Sequence, residues 1–283
     1  MYSEGVQAAE NKRKQEKLIY DFMLGAIIGD IVGSRFEFDA VPEEGFELFT
    51  DECDFTDDTI CTVAIADAIL KGRDYKDSLV EWCLRYPNPK GGYGNMFLKW
   101  LNEPNHAPQA SYGNGSAMRV SPVGWLFDDY NEVLQQAKMS AEVSHCHSEG
   151  IRGAQCVATA IYWLRTTRLL KHELARAVSR NFKYQIPPLQ DIFRIGGNGH
   201  FDATCQETVP YALRCFLDAN NFEETLRNAV MARGDTDTKA AIACSIAEAC
   251  YEIPDEIADR ALEFLPVEML TVVEQFCDRL YIK

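Results

Sequence analysis

Gly25, Gly29 and Gly33 recur every four residues in the segment 25–37, GAIIGDIVGSRFE. Residues at i, i+4 and i+8 share one face of a helix. Three glycines leave that face smooth, so a second helix can pack closely against it. Each helical glycine costs about 1 kcal/mol relative to alanine. A chain that places three in one helix is expected to recover that cost in close helix packing.

Helical periodicity governs the remainder. Beyond Thr56, Ile60, Val63, Ala64 and Ala68 follow i, i+3, i+4 and i+8, although Asp67 interrupts the stripe. Segment 150–166 carries Ala154, Val157, Ala158 and Ile161 on one face, and segments 205–217, 222–232, 238–251 and 267–281 repeat the pattern. No pair of alternating β-branched runs stands between turn signals. The expected fold is all-α and compact, with about ten helices around an Ala- and Gly-rich core. Residues 1–22 read as a polar N-terminal extension and 23–283 as one domain, since no Pro- or Ser-rich linker follows. Gly and Asn clusters break the helices at 91–95, 113–115 and 196–199. The first two suit close backbone approach to a ligand, and the third reads as a simple turn.

The 283 residues carry 28 Lys plus Arg against 43 Asp plus Glu, a formal net charge of −15. That balance argues against nucleic acid and against an anionic membrane as partners. A small anion can still be held by backbone N–H groups or metal ions. The ten cysteines form no CxxC pair, and several sit in apolar helical runs as small hydrophobes. With no apolar run of membrane-spanning length and no signal peptide in view, a reduced, cytoplasmic protein is expected.

Two acidic segments carry the chemistry. Thr56-Asp57-Asp58-Thr59 opens one Ala/Ile helix, and Asp235-Thr236-Asp237-Thr238 opens another. Asp and Thr are ordinary N-cap residues, and either segment alone reads as a cap. One cap residue suffices per helix, however, and each start here holds two carboxylates and two hydroxyls. Carboxylates brought together repel unless cations lie between them. These hard oxygen ligands suit Mg²⁺ or Mn²⁺, and two facing starts would supply four carboxylates for a pair of ions. Asp30 reads either as part of such a site or as a buried cap on a neighbouring helix, and Glu37 as a site carboxylate or a surface one.

The motifs GDIVGSRFE, FTDDT, GYGNMF, GNGSAMRVSPVG, SHCHSEGIRGA and RGDTDT occur in this order between about residues 23 and 255. The set resembles the ADP-ribosylglycohydrolase superfamily, particularly its bacterial members, and the GSRFE ending is similar to the serine-directed branch. The resemblance implies a binuclear centre of two Mg²⁺ (or Mn²⁺). Its ligands would be Thr56, Asp57, Asp58, Asp235, Asp237 and Thr238. Glu37 would be the catalytic carboxylate. Gly92 and Gly94 would hold the diphosphate through backbone N–H groups, with Asn114, Gly115, Ser116, Met118 and His145 lining the ADP-ribose cleft. The implied activity is hydrolysis of the C1″ glycosidic bond of an ADP-ribosylated substrate, foremost ADP-ribosyl-protein, with release of ADP-ribose.

Alternatives are another ADP-ribose conjugate as substrate, or a binding or immunity protein that blocks an ADP-ribosyltransferase toxin. A cognate transferase is then a candidate partner. The chain departs from the family pattern at Arg233-Gly234, where Gly-Gly is usual, and at Cys244 and Glu248, where smaller residues are usual. Of the remaining residues, Arg119 is expected to pair with a carboxylate and Trp100, Trp125 and Trp163 to belong to the core, as are Tyr93 and Tyr112 in preference to the alternative that either stacks on adenine. His147 is expected to be structural, and a zinc site at His145-Cys146-His147 is set aside for want of further ligands.

Overall fold

The computed structural model describes residues 22–282 apart from 39 and 168. Within them lie fifteen helices and no strand. Six of the expected helical segments are α2 (Asp57–Lys71), α8 (Ser148–Thr166), α11 (Cys205–Leu217), α12 (Phe222–Met231), α13 (Thr236–Glu248) and α15 (Val267–Tyr281). The glycine helix is α1 (Leu24–Gly33). The count exceeds about ten because short, amphipathic or weakly patterned helices fill the intervals. These are α3 (Tyr75–Arg85), α4 (Asn95–Asn102), α5 (Gly115–Met118), α6 (Ser121–Leu126), α7 (Tyr130–Glu142), α9 (Lys171–Phe182), α10 (Leu189–Gly197) and α14 (Asp255–Leu262).

Every residue of α1 and of α13 is buried. The two pack along the glycine face. A Cβ on Gly25 would stand 2.3 Å from the Cys244 carbonyl oxygen, one on Gly29 2.3 Å from the Ala240 carbonyl, and one on Gly33 2.5 Å from the Asp237 Cα. Backbones therefore touch along the full length of α1. This contact carries the C-terminal end of α1 to the start of α13, where the second acidic segment lies. Thr236 locks the join by donating its hydroxyl to the Gly33 carbonyl at 2.9 Å. At the other end Glu248 accepts the Leu24 N–H at 2.9 Å, so the departure at 248 caps α1.

α2 is buried from Asp58 to Ala68 and packs on α1, α3 and α15, while α11 and α12 flank α13. Asp67, which interrupts the apolar stripe of α2, is satisfied locally. It pairs with Lys71 at 2.6 Å and accepts from the Trp82 indole at 3.2 Å. The packed domain includes Phe22, whose ring lies 5.1 Å from that of Trp125 and 5.4 Å from that of Tyr281. The rest of the expected extension lies outside the described residues. All ten cysteines are free thiols, eight of them buried, and no described helix is long and apolar enough to cross a membrane.

Candidate active site

Asp30, on α1, caps α2. Its Oδ2 accepts the N–H groups of Thr56 (2.9 Å) and Thr59 (3.0 Å), and its Oδ1 accepts the Thr56 hydroxyl (2.7 Å). The capping alternative for Asp30 is therefore the observed one. With the Thr56 hydroxyl, which accepts the Asp58 N–H at 3.2 Å, it caps α2 without drawing on the carboxylates of Asp57 and Asp58. Burial, offset in part by these hydrogen bonds, holds the Asp30 carboxyl up at about 6.

The two acidic starts meet. Thr238 donates its hydroxyl to Oδ2 of Asp58 at 3.1 Å, while the buried Oδ1 of Asp58 has no partner. Asp235 and Asp237 offer carboxylate oxygens that lie, with one from Glu37, within 4.8 Å of one another. Burial pushes the carboxyls of Asp57, Asp58 and Asp237 well above the usual range, and neighbouring negative charges add to it. Those charges include Asp30, Asp235 and Glu37 for Asp57, and Asp235, Asp58 and Glu37 for Asp237. The pair Asp57 and Asp235 thus lies in mutual electrostatic reach across the helix starts.

Glu37 follows α1 in the turn 34–38. Burial first, then Asp235 and Asp30, raise its carboxyl to about 8. Its Oε2 is buried without a partner, against Gly91, where φ is +75°. Gly91 was not among the expected site residues. Only the Gly-Gly doublet at 91–92 signals it. An isolated bridge between Thr56 and Lys90 fastens this loop to the first acidic start. Gly92 also has positive φ (+80°), and Gly94 is the N-cap of α4.

The 113–118 segment is tied to the same cluster. Asn114 donates its side-chain amide to Asp235 Oδ2 (2.8 Å) and to the Thr208 hydroxyl (3.0 Å), which orients Asp235. Gly115 opens α5 over the imidazole of His145, whose Nε2 would stand 3.3 Å from a Cβ there. The Ser116 side chain is buried and donates to the Gly150 carbonyl at 2.8 Å, which leaves its backbone, not its hydroxyl, for any ligand. Met118 Sδ lies 3.9 Å from the Thr238 hydroxyl. His145 is buried beside the Ser144 hydroxyl (2.8 Å). Burial and then the charge of Arg119 lower it to about 3, so it is neutral at pH 7.

A buried ion pair that sequence gave no signal for supports the second start. Lys239 Nζ reaches Asp202 Oδ1 at 2.9 Å and the Arg233 carbonyl, and Asp202 Oδ1 also accepts the Asp235 N–H at 3.3 Å. Arg233 itself has φ +55°, the left-handed conformation for which glycine is favoured. At 196–199 the simple-turn reading needs one addition. A Cβ on Gly196 would meet the Ala232 carbonyl oxygen at 1.9 Å, so that glycine packs against the backbone after α12.

Two expectations are corrected. Arg119 pairs with no carboxylate among the described residues. Fully buried, it donates to the Ser140 carbonyl (2.9 Å) and the Ser144 hydroxyl (2.7 Å). Tyr112 is not in the core but 49% exposed, edge-on to His147. Tyr93, Trp100 and Trp125 are buried, Trp163 packs half-buried on Tyr130, and His147 caps α8 by accepting the Glu149 N–H at 3.1 Å. A cavity of about 1190 Å³ between the start of α3 and the α6–α7 turn holds none of the expected site residues.

The donor set fits divalent cations. Unpartnered buried oxygens on Asp58 and Glu37, and carboxyls driven upward by burial and then by neighbouring negative charge, are compatible with a cluster of hard ligands whose charge is not balanced. The all-α architecture and this acidic cluster agree with one class of hydrolytic enzyme. The model of the ADP-ribosylglycohydrolase family matches residues 11–283, and the chain belongs to that family of glycohydrolase enzymes. The human ADP-ribosylhydrolase ARH3 is 28% identical over 81% of this chain and 84% of its own length. The ADP-ribosylarginine hydrolase Tri1 of Pseudomonas putida (strain GB-1) is 25% identical over 82% of this chain and 70% of its own. A solved structure titled ADP-ribosylglycohydrolase-related protein complex superposes with a TM-score of 0.69. It covers 95% of this chain and 99% of that one at 22% identity, a likeness of fold.

Proposed function

We propose that the chain is a metal-dependent ADP-ribosylhydrolase that releases ADP-ribose from a modified protein. The observation that carries this reading is the convergence of Glu37, Asp235 and Asp237 within 4.8 Å beside the Asp58–Thr238 contact. Thr56, Asp57, Asp58, Asp235, Asp237 and Thr238 would hold two Mg²⁺ or Mn²⁺ ions. Such ions, when bound, return carboxyls to their charged forms and orient the hydroxyls of the distal ribose.

The protein's own groups do the rest. Gly92, Gly94 and the Gly115-Ser116 backbone would present N–H donors to the diphosphate, which accounts for dianion binding by an acidic chain. Met118 and His145 close the floor beside Thr238 and under Gly115. Neutral His145 adds no charge there. The Glu37 carboxylate, in its charged form, accepts a proton from water as the water oxygen bonds to C1″. The bond from C1″ to the acceptor breaks through an oxocarbenium-like state, and the acceptor leaves with the electron pair and regains a proton from Glu37.

Glu37→Ala should abolish turnover and leave ADP-ribose affinity intact, whereas unchanged turnover removes Glu37 from the mechanism. Asp57→Asn and Asp237→Asn should each lose metal binding in titration calorimetry. Normal metal affinity in both would overturn the ligand assignment.

A further inference from the structure

Phe38 and Phe201 stack on each other at the surface. Their ring centroids are 6.0 Å apart with planes within 5°, and they are 65% and 41% exposed. Each is the chain neighbour of a residue tied to the cluster. Phe38 follows Glu37, and Phe201 precedes Asp202, which accepts the Asp235 N–H. The two rings therefore join the 34–38 turn to the 200–204 loop at the rim of the cluster. Val41, 59% exposed, follows in the chain.

An acidic segment comes next. Glu43, Glu44, Glu47, Asp51, Glu52 and Asp54 are all exposed, and none is in an ion pair among the described residues. The segment is pinned to the turn that carries Glu37. Arg35 donates to the Thr50 hydroxyl (2.8 Å) and the Glu47 carbonyl (2.7 Å), and the Asp54 N–H donates to the Ser34 hydroxyl (3.1 Å). Phe36 meets Phe46 edge-on at 5.0 Å. The basic groups here leave the acidic side chains unpaired by cations: Arg35 and Lys90 reach neutral oxygens, Lys90 the Glu52 carbonyl, and Arg227 donates to the Phe46 carbonyl at 2.8 Å and pairs with Glu223, while the Asp54 carboxylate accepts the Phe55 N–H at 2.9 Å.

We infer that this lip receives the acceptor side of the conjugate, and that the acceptor is a positively charged polypeptide segment; the inference rests on the hydrolase reading above. In the hydrolase reading Glu37 acts at C1″, so the turn that carries it and the segment 43–50 pinned to that turn through Arg35 lie on the side of the leaving group, where the negative charge of Glu43, Glu44 and Glu47 disfavours the anionic diphosphate. Lys and Arg side chains lay their apolar stems on aromatic rings and their charges over the ring faces. The carboxylates supply the complementary field and exclude an anionic acceptor such as nucleic acid.

The test uses two ADP-ribosylated peptides with the same modified residue and linkage, one with Lys/Arg-rich flanks and one with Asp/Glu-rich flanks. The full-length protein should favour the cationic peptide by about tenfold or more in kcat/KM at low salt, a preference that fades as salt rises. In the triple variant Glu43→Gln/Glu44→Gln/Glu47→Gln the two peptides should approach parity while affinity for free ADP-ribose is unchanged. Phe201→Ala should raise KM for the cationic peptide with kcat held. Equal rates for both peptides in the unsubstituted protein, or an undiminished preference in the triple variant, overturn the inference and leave the hydrolase reading standing. Hydrolysis of neither peptide, with ADP-ribose still bound, overturns the hydrolase reading and takes this inference with it.

Discussion

Oε2 of Glu37 lies 2.7 Å from the point where a Cβ on Gly91 would stand. The loop at 91 thus forms one wall of the Glu37 pocket, and it can do so only as glycine, at φ +75°. Gly91→Ala should displace the Glu37 carboxylate, since a side-chain end yields more readily than backbone. A shift approaching 1 Å at a catalytic group costs on the order of a hundredfold in rate. Turnover should therefore fall by roughly ten- to a hundredfold while ADP-ribose affinity, measured calorimetrically, is kept. Full activity would show that Glu37 does not depend on this wall.

Gly29→Ala tests the α1–α13 contact. The new methyl would lie 2.3 Å from the Ala240 carbonyl, which is backbone and has no rotamer by which to yield. Overpacking of this kind costs about 1–3 kcal/mol. The expected outcome is a lowered urea midpoint. A variant as stable as the parent would mean that the two helices separate without penalty.

Lys239→Met leaves the buried Asp202 carboxylate without its counter-charge and close to Asp235. Breaking a buried ion pair from one side costs about 3–5 kcal/mol. Destabilisation of that order is expected in chemical denaturation. Asp202→Asn in the same background should restore part of it, because the uncompensated charge is then gone. No recovery would assign the loss to packing alone.

His145 gives a pH signature. Its folded value of about 3 lies below the ordinary 6.5, so between those values the unfolded chain binds a proton that the folded chain does not. Stability is therefore lost as pH falls below about 6, by up to about 1.4 kcal/mol per pH unit from this group. The buried carboxyls with raised values act in the opposite sense, so the comparison must be internal. The stability gap between the parent and His145→Asn should shrink from pH 7 to pH 5. A gap constant with pH would show that the imidazole titrates normally.

The fold was legible where the pattern was strong. The glycine stripe announced a close helix contact, and α2, α8, α11, α12, α13 and α15 followed their apolar periodicity. The short helices α5 and α6 were not legible, because one or two turns give no period to read. At the site, Asp57, Asp58, Asp235 and Asp237 were marked by more carboxylates than capping requires. At α2 the capping is done by Thr56 and by Asp30 from another helix, and Asp30 could be read from sequence only as one of two alternatives. Asp202 and Lys239 gave no signal, since a buried pair 37 residues apart looks like two surface charges. Arg119 misled for a related reason. It is fully buried, and among the described residues carbonyl and hydroxyl oxygens rather than a carboxylate accept its hydrogen bonds.

The most direct test is release of free ADP-ribose from serine-linked and arginine-linked peptides, with Mg²⁺, with Mn²⁺ and with a chelator. Release should occur with a divalent ion, stop with the chelator, and favour one linkage. Equal release in the presence of chelator would contradict a metal-dependent centre at the two acidic helix starts. No release under any condition, with ADP-ribose bound, would contradict hydrolysis itself.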